Sequence, residues 1–205
     1  MRFSALLFFV MLFSAVSAQK SEKIAGIEKF QKKINQDFKS PEHSPLPAVL
    51  RKDFKSLEFF PVDTSFSVVA EFVRTPFELP FEMPTTTDRR PMYLKYGEIY
   101  FSLGGKEHKL NVYQNLELTK TAEYKDYLFL PFTDLTNGEG SYSGGRYIDL
   151  KIPKADRMLL DFNKAYNPYC AYNGKYSCPI PPEENHLDIA VNVGVKDFKN
   201  KLKLK

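Results

Sequence analysis

The hydrophobic rhythm of this chain changes once, around Phe60-Pro61, and that change narrows the fold more than any other feature. Upstream, Ile24, Ile27, Phe30, Ile34 and Phe38 recur at spacings of three and four. They line one face of an amphipathic helix over Glu22 to Phe38, with Ser21 at its cap position. Pro41, Pro45 and Pro47 end it, because a proline ring removes an amide donor and clashes with the preceding turn. A second short helix is expected from Ala48 to Ser56, where Leu50, Phe54 and Leu57 again fall at helical spacing.

Downstream the period drops to two. Phe66 to Val73, Phe77 to Met83, Met92 to Tyr96, Glu98 to Leu103, His108 to Tyr113, Tyr127 to Phe132 and Arg146 to Ile152 all read as strands. Leu159-Leu160 and Ile189 to Val193 add two short apolar pieces. Gly104-Gly105-Lys106-Glu107 gives a tight hairpin turn, since consecutive glycines accept the positive φ that such turns need. This order predicts a mainly β (α+β) fold: one or two N-terminal helices, then an antiparallel β-barrel or sandwich with a long structured loop. No internal repeat or linker divides residues 19–205, which are read as a single domain. Its parts are a helical stretch over about 21–57, a β-rich stretch over about 59–195 and a basic tail over 196–205.

The first residues carry a different message. Met1-Arg2 supplies one positive charge, Phe3 to Phe13 is apolar, and Val16 and Ala18 stand three residues and one residue before Gln19. That order reads as a secretory signal peptide over residues 1–18, cleaved after Ala18, and predicts an exported protein of the periplasm or extracellular space. The apolar run falls well short of the ~20 residues a spanning helix needs, so no transmembrane segment is expected after cleavage. A formal charge of +4, mixed along the chain, argues against nucleic acid as a partner. Lys196, Lys199, Lys201, Lys203 and Lys205 around Asp197 make a tail read as solvated.

Cys170 and Cys178 are the two cysteines. In an exported chain a pair this close points to a disulfide, which for so short a loop contributes about 2–3 kcal/mol and mainly shapes the loop. Free or redox-active thiols are the alternative. With only His186 nearby, a tetrahedral metal site lacks its four ligands, and neither a metal nor another cofactor is expected.

The segment from Tyr142 to Asn185 holds the chemistry-bearing residues. Gly138, Gly140, Gly144 and Gly145 lead into a strand that Arg146 and Asp149 interrupt with charge. Side chains alternate along a strand, so Arg146 and Ile148 share one face while Tyr147 and Asp149 share the other. Both charges need partners from elsewhere if the strand is central. No GxxxxGK[ST] or GxGxxG pattern opens a helix here, which excludes a phosphate loop.

Asp161-Phe162-Asn163-Lys164-Ala165-Tyr166-Asn167-Pro168 then begins a long loop that runs through Cys170, Tyr172 and Cys178 to Pro181-Pro182-Glu183-Glu184-Asn185. A loop of this length inside a compact domain is functional or disordered, and its aromatics and cysteines argue against disorder. Arg146, Tyr147, Asp149, Asp161, Asn163, Tyr166, Asn167 and Asn185 form the candidate ligand-binding set. The same residues also suit a structural role, in which each Asn ties down a turn.

Four features, the Gly-Gly-Arg-Tyr strand ending at Tyr147, the Asp-Phe-Asn-x-Ala-Tyr-Asn-Pro run from Asp161, the spaced cysteines and the Cys-Pro-x-Pro-Pro-x-Glu-Asn string from Cys178, resemble a family of uncharacterised bacterial proteins, domain of unknown function 1684. The resemblance covers the chain from about Phe59 onward and is strongest between Phe132 and Asn185. It implies a shared motif string and no activity. Family members commonly finish with Gly-Glu-Lys, where this chain has Gly194-Val195-Lys196, so an acid or base role for that Glu is absent here.

The first reading of function is a small-ligand-binding or envelope-interaction domain. In it the Arg146 fork floors a polar pocket and takes a small anionic group, while Tyr142, Tyr147, Tyr166 and Tyr172 stack on a sugar-like ring. The alternative is a hydrolase-like enzyme with Asp149 or Asp161 as general base and Arg146 stabilising developing negative charge. Against it, no nucleophile elbow is present and His43, His108 and His186 are scattered. A thiol redox protein using Cys170 and Cys178 comes third, because the spacing is not that of CxxC chemistry.

Overall fold

The computed structural model describes residues 2–199, with side chains from Lys20 onward. Helix α1 spans Arg2–Lys39. Ser21 therefore lies inside the helix and not at its cap. From Glu22 on, the expected apolar stripe faces the protein: Ile27 and Phe38 are buried, and Ile24, Phe30 and Ile34 are half-buried. Helix α2, Ala48–Asp53, stops short of the expected Ser56 because Phe54 is already extended at φ −69°, ψ 120°.

Eight strands form one sheet: β1 (Ser67–Arg74), β2 (Phe81–Glu82), β3 (Met92–Leu103), β4 (Lys106–Asn115), β5 (Tyr127–Asp134), β6 (Arg146–Lys151), β7 (Arg157–Asp161) and β8 (His186–Leu187). The order is β6-β5-β4-β3-β1-β7, with β2 added to β3 and β8 to β5. All pairings are antiparallel except β5 with β8. Only residues 152–156 separate β6 from β7 in sequence, yet no ladder joins these two ends among the described residues. The sheet is thus a curled half-barrel, where the strand count had allowed a closed barrel or a sandwich.

Two strand expectations and one apolar piece take their final form for identifiable reasons. The pieces Met92 to Tyr96 and Glu98 to Leu103 are one strand, bulged between Lys95 and Gly97. A Cβ at Gly97 would sit 2.6 Å from the Phe72 ring, so the bulge depends on a glycine. The stretch from Phe77 to Met83 shrinks to Phe81–Glu82, since Pro80 has no amide to donate. Ile189 to Val193 is not a strand at all, although Val191 and Val193 are fully buried. The Val191 amide and the Val191 and Val193 carbonyls bond to side chains instead.

The alternation along β5 and β6 divides the sheet into two apolar faces. Leu128, Leu130, Phe132 and Ile148 point into the main core, with Ile99, Leu110, Val112 and Phe162. Phe129 and Tyr147 point to the opposite face, where Met83, Tyr93 and Tyr113 join them in an aromatic layer. A third cluster, including Phe38, Leu46, Leu57 and Tyr172, fastens α1 and its following turn to the long loop. The aromatic layer and α1 together frame the candidate site.

Candidate functional site

A cleft of about 570 Å³ opens on the aromatic face of the sheet. Helix α1 contributes Phe30, Lys33, Ile34, Asp37 and Phe38 to its wall; the sheet contributes Tyr93, Tyr127, Phe129, Tyr147 and Asp149; the long loop contributes Tyr166, Tyr169, Tyr176 and Cys178. The loop is registered on the sheet by a two-way backbone pair. The Tyr147 amide donates to the Tyr166 carbonyl at 2.8 Å, and the Tyr166 amide returns to Tyr147 at 3.0 Å. That pair sets the two rings edge to face, 5.9 Å apart at 90°, while Tyr147 also meets Phe129 at 4.7 Å. The Tyr147 hydroxyl donates to the Pro179 carbonyl and so fixes the far end of the loop.

Asp149 is the carboxylate of this aromatic recess. Its Oδ1 accepts hydrogen bonds from the Tyr127 hydroxyl at 2.8 Å and the Tyr166 hydroxyl at 2.5 Å. Its Oδ2 has no hydrogen-bond partner among the described residues. The side chain is exposed to the cleft but ringed by phenol groups elsewhere. Desolvation by those rings raises its pKa above the usual carboxylate value, and the two phenol donors only partly offset this. Burial, first, and the nearby carboxylate push the Tyr127 and Tyr166 hydroxyls strongly upward, which keeps both as neutral donors. A second recess follows the seam where β6 and β7 fail to pair, and it shares Tyr127, Asp149 and Lys164 with the first. Only the first has ring walls on several sides converging on one acceptor.

Of the residues that sequence singled out, Tyr147, Asp149 and Tyr166 meet here. Arg146 does not. It is wholly buried on the opposite face of β6, where Nη2 pairs with Asp134 Oδ2 at 2.8 Å and donates to the Val191 carbonyl at 2.8 Å. Nη1 donates to the Val193 carbonyl at 2.5 Å, and Asp134 Oδ1 accepts from the Val191 amide at 3.1 Å. The ion pair thus replaces the ladder that the segment after Ile189 lacks. Burial lowers the guanidinium pKa while Asp134 raises it. An Arg so enclosed cannot floor a pocket for an anion.

The remaining residues brace the loop. Asp161 Oδ1 accepts from the Asn163 amide at 3.2 Å, starting the turn Phe162–Lys164, and Asn163 Nδ2 reaches the Asp63 carbonyl at 2.8 Å. Asn167 donates to the Lys196 carbonyl at 2.8 Å. Asn185 accepts from the Asn111 amide at 2.8 Å and donates to the carbonyls of Asn111 and Pro131 at 2.9 and 2.6 Å. All four are buried. Cys170 and Cys178, expected to be bonded, stand as free thiols side by side, with the Cys170 amide 3.1 Å from the Cys178 sulfur. Among the described residues no group of three His, Cys, Asp or Glu side chains could hold a metal ion, and no helix is long and apolar enough to cross a membrane.

Tyr127, Tyr93, Phe129 and the α1 residues of the cleft belong to no motif that marks them as functional. Tyr127 and Phe129 did carry a signal, since alternation puts them on the face of Tyr93 and Tyr147, but outward aromatics on a strand read as ordinary core. Asp134 also went unnoticed as the partner that a central Arg requires.

A family model described as "Protein of unknown function (DUF1684)" matches residues 52–196. The chain belongs to the DUF1684 family. The match includes β1 to β8 and the whole long loop, so Tyr127, Tyr147, Asp149 and Tyr166 lie inside the DUF1684 region, while the α1 wall precedes it. Among solved structures, the solution NMR structure of an uncharacterized protein from Haloarcula marismortui is similar. It shares 32% identity over 87% of this chain and 96% of its own, with a TM-score of 0.68. No curated protein matches the chain.

Proposed function

We propose that this DUF1684 protein is an exported small-ligand-binding domain whose site is the Asp149 cleft. The observation that carries the reading is the acceptor at its floor: a carboxylate with one oxygen locked by two phenol hydroxyls, in a cleft walled by rings. Mostly apolar, ring-lined recesses with a few convergent polar groups are typical of small-molecule sites. A carboxylate there repels anions, the Arg that could have attracted them is buried and paired, and Lys33 and Lys164 in the wall are engaged by Asp37 and Asp161. The ligand class is therefore a neutral or cationic ring that bears hydroxyl or amine donors, such as a pyranoside or a phenolic amine.

Export rests on the Arg2 start, the apolar run and the small residues before Gln19. Every described α1 side chain that lines the cleft lies beyond Ala18, so cleavage there leaves those residues in place. N-terminal sequencing of the protein recovered outside the cytoplasm tests this; a chain that still begins at Met1 contradicts it.

One observation favours a second reading, a proton-transfer enzyme with Asp149 as general base. Its raised pKa moves the carboxyl toward the range in which a base works near neutral pH. Asp149→Asn separates the two readings once a ligand is in hand. A binder loses affinity for it, while an enzyme keeps affinity and loses turnover.

A further inference from the structure

The cysteine pair is built as a reactive unit, and the spacing that argued against redox chemistry does not separate the two groups in space. Cys170 sits in the turn Tyr169–Ala171, which Pro168 starts; Cys178 ends the same loop and is followed by Pro179. The Cys170 amide donates to the Cys178 sulfur at 3.1 Å, which brings the two cysteines together. Cys178 is held from behind: its amide donates to Thr86 Oγ1 at 3.1 Å, and the Thr86 amide donates to its carbonyl at 2.9 Å. The Tyr142 hydroxyl, from a different segment, lies 3.7 Å from the Cys170 sulfur. Cys170 is half-exposed, whereas Cys178 is buried.

We propose that Cys170 and Cys178 form a reversible dithiol–disulfide site that exchanges with external disulfides, Cys170 being the attacking thiol and Cys178 the resolving one. In the first step the Cys170 thiolate attacks one sulfur of an external disulfide. A mixed disulfide forms on Cys170, the external S–S bond breaks, and one thiolate leaves. In the second step Cys178 gives up its proton to solvent and attacks the Cys170 sulfur. The Cys170–Cys178 bond forms and the second external thiolate leaves. Two protein thiols are oxidised, one disulfide is reduced, and the departing thiolates take up the two protons.

Three features assign the roles. Cys170 is the more exposed of the two sulfurs, whereas Cys178 is buried at the wall of the Asp149 cleft. Donation from Cys178, and then from Tyr142 and Thr86, holds the Cys170 thiol well below its ordinary pKa, while the same contact raises that of Cys178. The Cys178 sulfur lies against the Cys170 amide, and Thr86 and two prolines fix the backbone there, so the resolving thiol is held next to the residue it must attack. Cys178 lines the wall of the Asp149 cleft, but the exchange itself needs no ligand there.

The test uses the reduced full chain and an aromatic disulfide, 5,5′-dithiobis(2-nitrobenzoate), under native conditions. The proposal predicts release of both aromatic thiols and a product about 2 Da lighter than the reduced chain, with no adduct attached. Cys178→Ser then stops at a mixed disulfide on Cys170, and Cys170→Ser reacts at least about tenfold more slowly than Cys178→Ser. A wild-type product that keeps two aromatic adducts, or a native chain that does not react, overturns the proposal without reference to either variant. Equal rates for the two variants overturn the assignment of roles.

Discussion

The guanidinium of Arg146 and the carboxylate of Asp134 meet at 2.8 Å with both side chains wholly buried. Around them the carbonyls of Val191 and Val193 and the Val191 amide find their hydrogen bonds. The pair therefore organises a core segment that has no strand partner. Removing one member leaves a buried charge without its partner, which costs on the order of 3–5 kcal/mol. Arg146→Met is expected to lose about that much in urea unfolding, and the double variant Arg146→Met, Asp134→Leu to lose less than either single change. A loss under about 1 kcal/mol for Arg146→Met contradicts the structural role.

Asn185 stands where a ladder pair is missing. The register Tyr113↔Phe129 would next bring Asn111 opposite Pro131, and Pro131 has no amide. The Asn185 carboxamide enters between them and bonds both strands. Asn185→Asp keeps the shape but turns two donated bonds into contacts between an anion and two carbonyl oxygens. The expected cost is at least about 2 kcal/mol, checked by denaturant unfolding; a near-neutral result removes Asn185 from the frame.

Glu98 carries the clearest acid-sensitive contribution. It accepts from the Tyr100 hydroxyl at 2.5 Å and pairs with Lys95 at 3.0 Å and Lys109 at 3.4 Å. Tyr100 first, and then the lysines, hold its pKa down to about 2 from an ordinary 4.5. A carboxyl with a depressed folded pKa stabilises the fold fully above its unfolded pKa and loses that contribution as pH falls toward the folded one. The stability gap between wild type and Glu98→Gln should be constant above 4.5 and shrink between there and 2. A gap that stays unchanged to about pH 3 contradicts the assignment.

The strands were legible because alternation survives in a sheet with two apolar faces, and the turn at Gly104-Gly105 because positive φ there needs glycine. Sheet closure was not legible, since nothing in β6 or β7 states whether their edges meet. Ile189 to Val193 looks like a strand for the same reason that it is buried: it is apolar. The partners of Val191 and Val193 are side chains from distant segments, which no local pattern reveals. Arg146 followed two glycines and looked like a ligand group, yet those glycines serve packing: a Cβ at Gly145, at φ +88°, would stand 2.7 Å from the Phe132 carbonyl. Asp149 was visible as a charge in an apolar strand, whereas its donors Tyr127 and Tyr166 come from elements on either side of it.

The most direct test of the Asp149 cleft is an NMR titration of the isotope-labelled protein with a panel of methyl pyranosides and phenolic amines, repeated on Asp149→Asn. Binding at Asp149 should perturb signals at Tyr127, Tyr147, Asp149, Tyr166 and the α1 segment from Phe30 to Phe38, with an affinity reduced at least about tenfold, or 1.4 kcal/mol, in the variant. Perturbations confined to other surfaces, or a variant that binds as tightly as the wild type, contradict it.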